Sequence, residues 1–330
     1  MKGGAIRRER GREWVGGRAL PGRACLAAAV GLVILAAGHG SAKERYNMWA
    51  KEKVRYIADK VQRDPYNAQL QALLGDAYFK DGQNYEAEQH LKRALKLQPD
   101  FAEAHCNLAV IYHAQSRTTE AREHYERALS IDATLLEARA GLGTLLCRNQ
   151  RHAQGIRHLE TVLVQDSGRV NARYNLGVAY HKIGDFKMAI GHLERVLEQR
   201  PNFPSGRGAL AQANFGRGLK QLQAKRLPQA LGFLEQALAL DGTQADFHYG
   251  QGLAHLGLEE FEHAATDFAA AVEIESDHVP ALHNLAMVFE LIGREREAEP
   301  LYRRVLELTP HLKTIHAARN ADYDERFLLK

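Results

Sequence analysis

Cysteine, tryptophan and methionine are scarce in this chain of 330 residues, which contains three, two and four of them respectively. Three cysteines cannot build a disulfide framework, and no C-x-x-C pair of the kind found in zinc and redox sites is present. Neither a phosphate-binding G-x-x-x-x-G-K loop nor a G-x-S-x-G nucleophile elbow occurs. No segment alternates apolar and polar residues as a half-buried strand does. The sequence therefore predicts an all-α protein with no catalytic residues and no cofactor.

Net charge is also small once the N-terminus is set apart. Residues 1–23 contain seven basic and two acidic residues, whereas the rest of the chain contains 37 basic and 38 acidic ones. A near-neutral remainder lacks the basic surface that attracts a phosphate backbone. We therefore expect no nucleic-acid partner.

An uncharged segment, residues 24–42, follows this basic stretch and contains no Lys, Arg, Asp or Glu. Its length of nearly 20 residues fits a transmembrane anchor, while the small residues Gly40, Ser41 and Ala42 fit a signal peptide cleaved after Ala42. The long basic N-terminal segment favours the anchor. The excess of arginine predicts a cytoplasmic N-terminus, and so an inner-membrane protein with its repeats in the periplasm. The alternative is a secreted or periplasmic protein after signal cleavage.

Residues 43–66 predict an amphipathic helix that ends at Asp64 and Pro65. Tyr46 and Trp49 at its start suggest an interfacial anchor beside the membrane. Ile57 and Val61 further along suggest instead a helix that covers the first repeat. Both interpretations can hold along one helix.

Residues 170–203 show the pattern of a helical hairpin. Small and apolar residues recur at helical spacing up to Tyr180, and Gly184 with Asp185 then interrupts the helix and suits a turn or an N-cap. A second apolar stripe follows and ends before Pro201, which cannot continue a helix. Such a hairpin cannot bury its apolar face alone, so it requires neighbours.

The same pattern recurs seven times at a spacing of 34 residues. The position of Gly177 is glycine or alanine in every unit, and small or β-branched residues recur at the positions of Ala189 and Val196. These residues resemble the signature of the tetratricopeptide repeat (TPR) family. The resemblance implies a right-handed superhelical solenoid of antiparallel helix pairs. The predicted segments are residues 68–203 for repeats 1–4, 204–210 for an insertion, 211–312 for repeats 5–7 and 313–330 for a closing helix.

The resemblance also implies where a partner binds. In this family an extended peptide or a partner helix lies on the concave face formed by the first helices of the repeats. Asn107 and Asn175 stand where the family often uses a side-chain amide to hold a ligand's backbone. The groove positions carried over to this chain are Asn107, Val110, His113, Thr144, Arg148, Asn171, Tyr174, Asn175, Val178, His181 and Lys182.

The sixteen histidines raise the question of a metal site. Four of them recur every 34 residues, from His90 to His192, and are interpreted as half-buried packing residues because equivalent helices stand too far apart to share one ion. A row of His255, Glu259, His263 and Asp267 has the four-residue spacing of a ligand set. The repeat pattern places a turn near Glu259 and splits this row, so no metal site is predicted. Cys106 and Cys147 fall seven positions apart within their repeats and are predicted not to pair.

Two functions remain open at this stage. The first is a static scaffold that binds a protein or peptide partner in the groove and organises a complex at a membrane or in the cell envelope. The second is a transient holdase for exported polypeptides, of the kind linked to secretion, pilus or cytochrome biogenesis. The membrane itself is a further partner through residues 24–42 if that segment is not cleaved.

Overall fold

The structure is a computed structural model that describes residues 42–312 together with Thr314, Ala317 and Arg319. The predicted basic segment, residues 24–41 of the predicted anchor or signal, and nearly all of the predicted closing helix lie outside the described residues. Within residues 42–312, no helix is both long enough and apolar enough to cross a bilayer.

The described part of the chain is built from fifteen α-helices and contains no strand, which confirms the predicted all-α class. From α2 onwards the helices alternate between a first and a second helix of each repeat. The helices are α1 (Ala42–Arg63), α2 (Ala68–Lys80), α3 (Asn84–Leu97), α4 (Ala102–Ala114), α5 (Thr118–Ile131), α6 (Leu136–Arg148), α7 (His152–Gln165), α8 (Val170–Lys182), α9 (Phe186–Gln199), α10 (Gly206–Gln223), α11 (Leu227–Leu240), α12 (Ala245–Gly257), α13 (Phe261–Ile274), α14 (Val279–Leu291) and α15 (Glu295–Leu308).

The described part of the chain forms two compact units, divided between Gln115 and Ser116. In the first unit, α1 packs against α2 through an apolar cluster. Ile57 and Val61 of α1 are buried against Leu74 and Ala77 of α2. Helix α1 therefore covers the apolar face of α2, as one of the two sequence interpretations expects.

In the second unit, four pairs of helices meet at a glycine on the first helix, whereas α14 has Ala286 at this position. A Cβ atom placed on Gly177 of α8 would lie only 2.8 Å from Cγ of Leu193 on α9. Leu193 is fully buried, so the two helices approach closely because this position carries no side chain. Gly143, Gly218 and Gly252 make the same approach in their own repeats.

The turn inside each repeat places one residue in the left-handed conformation. This residue falls at the same repeat position every time, with φ between 55° and 82°. Left-handed residues commonly end a helix, and glycine adopts the conformation without strain. In four repeats the position is nevertheless occupied by another residue. The seven residues are Gly82, Ser116, Gln150, Gly184, Lys225, Glu259 and Gly293.

A side chain near the start of most first helices secures the connection from the preceding repeat. It donates to a backbone carbonyl six residues earlier: Arg173 Nη2 bonds to Ser167 O at 2.6 Å, and Arg139 Nη2 bonds to Ala133 O at 2.7 Å. Gln71, His105 and His248 make the equivalent bond. Arginine, glutamine and histidine all make this hydrogen bond, so no single residue type at this position predicts the bond from the sequence.

The period slip after the fourth repeat is absorbed by a longer first helix. Helix α10 has 18 residues, whereas α8 has 13. Residues 206–210 of the predicted insertion are the first turn and a half of this helix, and Leu210 is buried in the core formed with α8 and α9.

Candidate functional site

Two adjoining cavities lie along the first helices α6, α8 and α10 of the second unit. Both are lined by Lys182, at the C-terminal end of α8, so they adjoin at this residue. We call the two together the groove. Its lining residues sit at equivalent positions of successive repeats, since Thr144, Val178 and Leu219 each occupy the ninth position of their unit.

The first cavity has a volume of about 610 Å³ and lies between α8, the turn that follows it, and α10. Phe186 and Phe215 give it aromatic walls, and Ile183 in the turn leaves half of its surface exposed. The floor is Gly216, where an added Cβ would meet the Phe186 ring. This absence of a side chain on α10 allows the Phe186 ring to rest against the helix.

The second cavity has a volume of about 450 Å³ and lies between α6 and α8. Asn175 Nδ2 donates to Thr144 Oγ1 at 2.9 Å, and Thr144 Oγ1 donates to Ala140 O at 2.9 Å. One of the two amide protons of Asn175 is therefore used inside the protein. The amide retains a second N–H, and its predicted role in holding a ligand's backbone stays a prediction.

His181 forms part of the wall of the first cavity. Its ring centroid lies 5.5 Å from that of Phe186, and its Nδ1 atom is buried without a hydrogen-bond partner. Burial, and secondarily the charge of Lys182, lowers the pKa of His181 below its ordinary value. The imidazole is therefore neutral at pH 7 and presents one unsatisfied ring nitrogen.

The groove has an excess of positive charge. Arg148, Lys182 and Lys220 line it and are exposed. The acidic residue among the lining residues is Asp246, whose Oδ1 accepts from His278 Nε2 at 3.2 Å. A ligand with carboxylates beside apolar side chains matches this surface.

The structure brings most of the predicted groove residues together. Six of them line the two cavities: Thr144, Arg148, Asn175, Val178, His181 and Lys182. Asn171 lines a separate cavity of about 560 Å³ at the other end of α8, and Tyr174 packs its ring 5.0 Å from Phe203. Asn107, Val110 and His113 are half-buried on α4, which belongs to the first unit.

Sequence reasoning missed the contribution of the fifth repeat to the groove. Gln212, Phe215, Leu219 and Lys220, all on α10, line the first cavity. The available signal was the polar residues of this helix, among them Lys220, at positions that are mostly apolar or small in other repeats.

The repeated histidines of the second helices are packing residues, as predicted. His90 stacks on Tyr78 with ring centroids 5.3 Å apart, and His192 stacks on Tyr180 at 5.6 Å. Burial is the main cause of a lowered pKa at His90, His158 and His192. These histidines are therefore neutral at pH 7.

The cysteines follow their prediction as well. Cys106 and Cys147 form no disulfide in the described part of the chain. Cys147 lines the second cavity, and burial raises the pKa of its thiol to about 11. It is a packing residue rather than a nucleophile.

A second polar cluster lies outside the groove, at the turn between α12 and α13. His255 Nδ1 lies 2.6 Å from Glu260 Oε2, and His255 Nε2 lies 3.6 Å from Asp267 Oδ2. His263 completes the cluster, with its ring centroid 5.2 Å from that of His255. The turn splits the row of His255, Glu259, His263 and Asp267, as predicted, and Glu260 rather than Glu259 lies beside His255 and His263.

Comparison with known families accounts for the regular hairpins. Profiles described as "TPR repeat" and "Tetratricopeptide repeat" match residues 75–116, 102–135, 170–203 and 281–314. The chain is a tetratricopeptide repeat protein. Members of this family act as protein-interaction scaffolds, and their repeats bind protein or peptide partners.

A solved TPR structure shows the same fold. The C-terminal part of a TPR repeat-containing protein from Cytophaga hutchinsonii is 17% identical, covers 75% of this chain and 98% of its own, and superposes with a TM-score of 0.55. YrrB, described as a TPR protein with an unusual peptide-binding site, is 23% identical, covers 59% of this chain and 96% of its own, and has a TM-score of 0.48.

A curated relative matches over a shorter stretch of the chain. Anaphase-promoting complex subunit 3 of Schizosaccharomyces pombe is 32% identical over 83 residues. The match covers 25% of this TPR chain and 12% of the length of that relative, so it relates a few repeats rather than two whole proteins.

Proposed function

We propose that this TPR protein is a non-enzymatic scaffold that binds an extended polypeptide in the groove of its second unit. The observation that supports this is that two cavities along α6, α8 and α10 adjoin at Lys182. A groove that follows successive helices suits an extended chain better than a compact small molecule.

The chemistry of the lining defines the class of peptide. Phe186, Phe215 and Leu219 offer an apolar surface for one or two side chains of the ligand. Lys182 and Lys220 are exposed beside that surface and would pair with carboxylates. We therefore infer that the ligand segment combines acidic residues with an aromatic or aliphatic anchor.

The proposed location in the inner membrane or the periplasm is based on residues 24–42. An uncharged segment that follows an arginine-rich N-terminus would anchor the chain in the inner membrane, with the repeats in the periplasm, or direct it there as a cleaved signal. A reporter fused after Lys330 tests this, because an enzyme active only in the cytoplasm should give no signal in either case. A cytoplasmic signal would overturn the location without affecting the groove.

Site-specific photo-crosslinking in cells tests the binding surface. A photoreactive amino acid at Leu219 places the probe in the groove, while the same residue at Ala239, exposed on the second helix α11, serves as the matched control. A scaffold should yield one stoichiometric set of partners from Leu219 and not from Ala239. A heterogeneous set of unfolded chains would identify a holdase instead, and identical products from both positions would refute the groove.

The charge of the groove provides an independent test. The double reversal Lys182→Glu with Lys220→Glu should abolish capture of the Leu219 partners and remove its dependence on salt. Lys96→Glu, at an exposed lysine of α3 in the first unit, is the control and should leave capture unchanged. Equal capture by the double variant and the wild type would contradict the proposed acidic ligand.

A further inference from the structure

The cluster at the turn between α12 and α13 has the composition of a metal site. One ring nitrogen of His255, one of His263 and a carboxylate oxygen of Glu260 all lie within 4.8 Å of one another. His255 comes from the end of the first helix, whereas Glu260 and His263 come from the start of the second. The three donors thus converge from both sides of the turn.

The distances are compatible with a single bound ion after small side-chain movements. Ligands at about 2.1 Å from a tetrahedral metal stand roughly 3.4 Å apart. His255 Nδ1 and Glu260 Oε2 are closer than this, at 2.6 Å, and would separate slightly. Glu260 and His263 are exposed, so both can adjust without disturbing the core, while His255 is largely buried and fixed.

The carboxylate of Asp267 lies beside the second ring nitrogen of His255. Asp267 Oδ2 faces His255 Nε2 at 3.6 Å, is shielded from solvent, and has no hydrogen-bond partner of its own. Metal-binding histidines usually donate their second ring N–H to a carboxylate, which fixes the tautomer and leaves the other nitrogen for the ion. With His255 Nδ1 turned to the ion, its Nε2–H would satisfy Asp267.

We propose that His255, Glu260 and His263 bind a divalent transition metal ion of the Zn²⁺ class, with Asp267 as the positioning residue for His255. Two imidazoles and one carboxylate are the ligand types that such ions prefer, whereas Mg²⁺ and Ca²⁺ prefer oxygen ligands alone. Three protein ligands leave a fourth position for water or for a group from a bound partner. The ion would join the two helices of the sixth repeat across their turn.

A hydrogen bond between His255 and Glu260 is the competing explanation, and it makes different demands. It accounts for the 2.6 Å contact, and it also gives Asp267 a role if both ring nitrogens of His255 carry protons, but it assigns none to His263. Variants of His263 therefore separate a metal site from a simple contact within the turn.

The experiment is titration of the full-length protein with Zn²⁺ by isothermal calorimetry, followed by substitution with Co²⁺ to record the visible spectrum of a tetrahedral site. The wild type should bind one ion per chain. Asp267→Asn should weaken binding by about 10- to 100-fold, the usual effect of losing a partner behind a ligand, and His263→Gln should weaken it more. His311→Gln, at an exposed histidine outside the cluster, is the matched control and should bind as the wild type does.

His263 is the decisive position because it is exposed and its loss should leave the fold intact, which circular dichroism verifies. Unchanged Zn²⁺ affinity in His263→Gln would overturn the proposal, as would a wild type that binds no ion. Unchanged affinity in Asp267→Asn would overturn the positioning role of the carboxylate. None of these outcomes depends on the groove or on its partner.

Discussion

Gly177→Ala tests whether the close approach of α8 and α9 is as tight as the structure shows. The new methyl group would lie 2.8 Å from Leu193 Cγ and 3.1 Å from its Cδ2, where carbon atoms at rest stand about 3.5–4.0 Å apart. Leu193 cannot swing away, because it is fully buried among Ile156, Leu176 and Ala189. The helices must therefore separate or Leu193 must leave its rotamer.

The expected change in the free energy of unfolding is the difference between a gain in helix propensity and a steric cost. Alanine favours a helix interior over glycine by about 1 kcal/mol. Overpacking a filled core costs about 1–3 kcal/mol. Gly177→Ala should therefore lower the free energy of unfolding by up to about 2 kcal/mol. Gly191→Ala on α9 gains the same propensity at a position where an added Cβ meets nothing within 4 Å, so it should raise stability.

Urea-induced unfolding, followed by circular dichroism, measures both variants against the wild type. The steric term alone separates them, since the propensity term is common to both, and the separation should be about 1–3 kcal/mol. If Gly177→Ala were as stable as Gly191→Ala, Gly177 would not be the contact that sets the distance between the helices.

Three further outcomes are expected. Lys225 and Gly184 both have left-handed backbone conformations, which glycine adopts without strain. In thermal unfolding, Lys225→Gly should therefore stabilise the protein by about 0.5–1 kcal/mol, and Gly184→Ala should destabilise it by about 1 kcal/mol. Changes of the opposite sign would contradict the turn geometry. Burial lowers the pKa of His158 and His192, so the unfolded chain binds more protons at these sites below about pH 6.5, and their contribution to the free energy of unfolding should fall as the pH drops from about 7.5 to 5.5. Burial raises the pKa of Asp267 to about 6, which acts in the opposite direction over the same range. The test by urea unfolding is therefore a comparison: the double variant His158→Gln with His192→Gln should lose less stability over this pH range than the wild type, and equal losses would refute the role of these histidines. Burial raises the pKa of the Cys147 thiol to about 11, so little thiolate is present at about pH 8. Iodoacetamide should therefore alkylate Cys147 on the order of a hundredfold more slowly in the folded protein than in the unfolded chain, as measured by peptide mass spectrometry. Equal rates would show that the thiol is accessible.

The regular part of the fold could be predicted from the sequence because the turn residues and the apolar spacing within each repeat determine its two helices. Gly184 and Asp185 predicted the turn, and in the structure Asp185 accepts from Met188 N as the N-cap of α9. Leu176, Leu193 and Val196 fell on helical stripes and are buried. Periodicity alone fixes these features, since they depend on neighbours within one repeat.

The groove was only partly predictable, because its shape depends on which helices stand side by side. The position of Lys182 on a first helix could be inferred, but its presence in both cavities follows from packing. Phe186 opens a second helix, where the family pattern places no groove residue, yet its ring reaches the first cavity over Gly216.

One cluster shows most directly what could not be predicted from the sequence: His255, Glu260, His263 and Asp267. By itself, the sequence determined the helices, the repeat register and the turn that divides the row, since all three follow from local spacing and turn chemistry. That turn argued against a shared site, because residues on two helices lose the four-residue alignment. Only tertiary structure decided that the hairpin folds the two halves of the row back onto each other and brings Glu260 into the place of Glu259. The physical reason is that donor convergence is a property of distances across the turn, and spacing along the chain does not contain those distances.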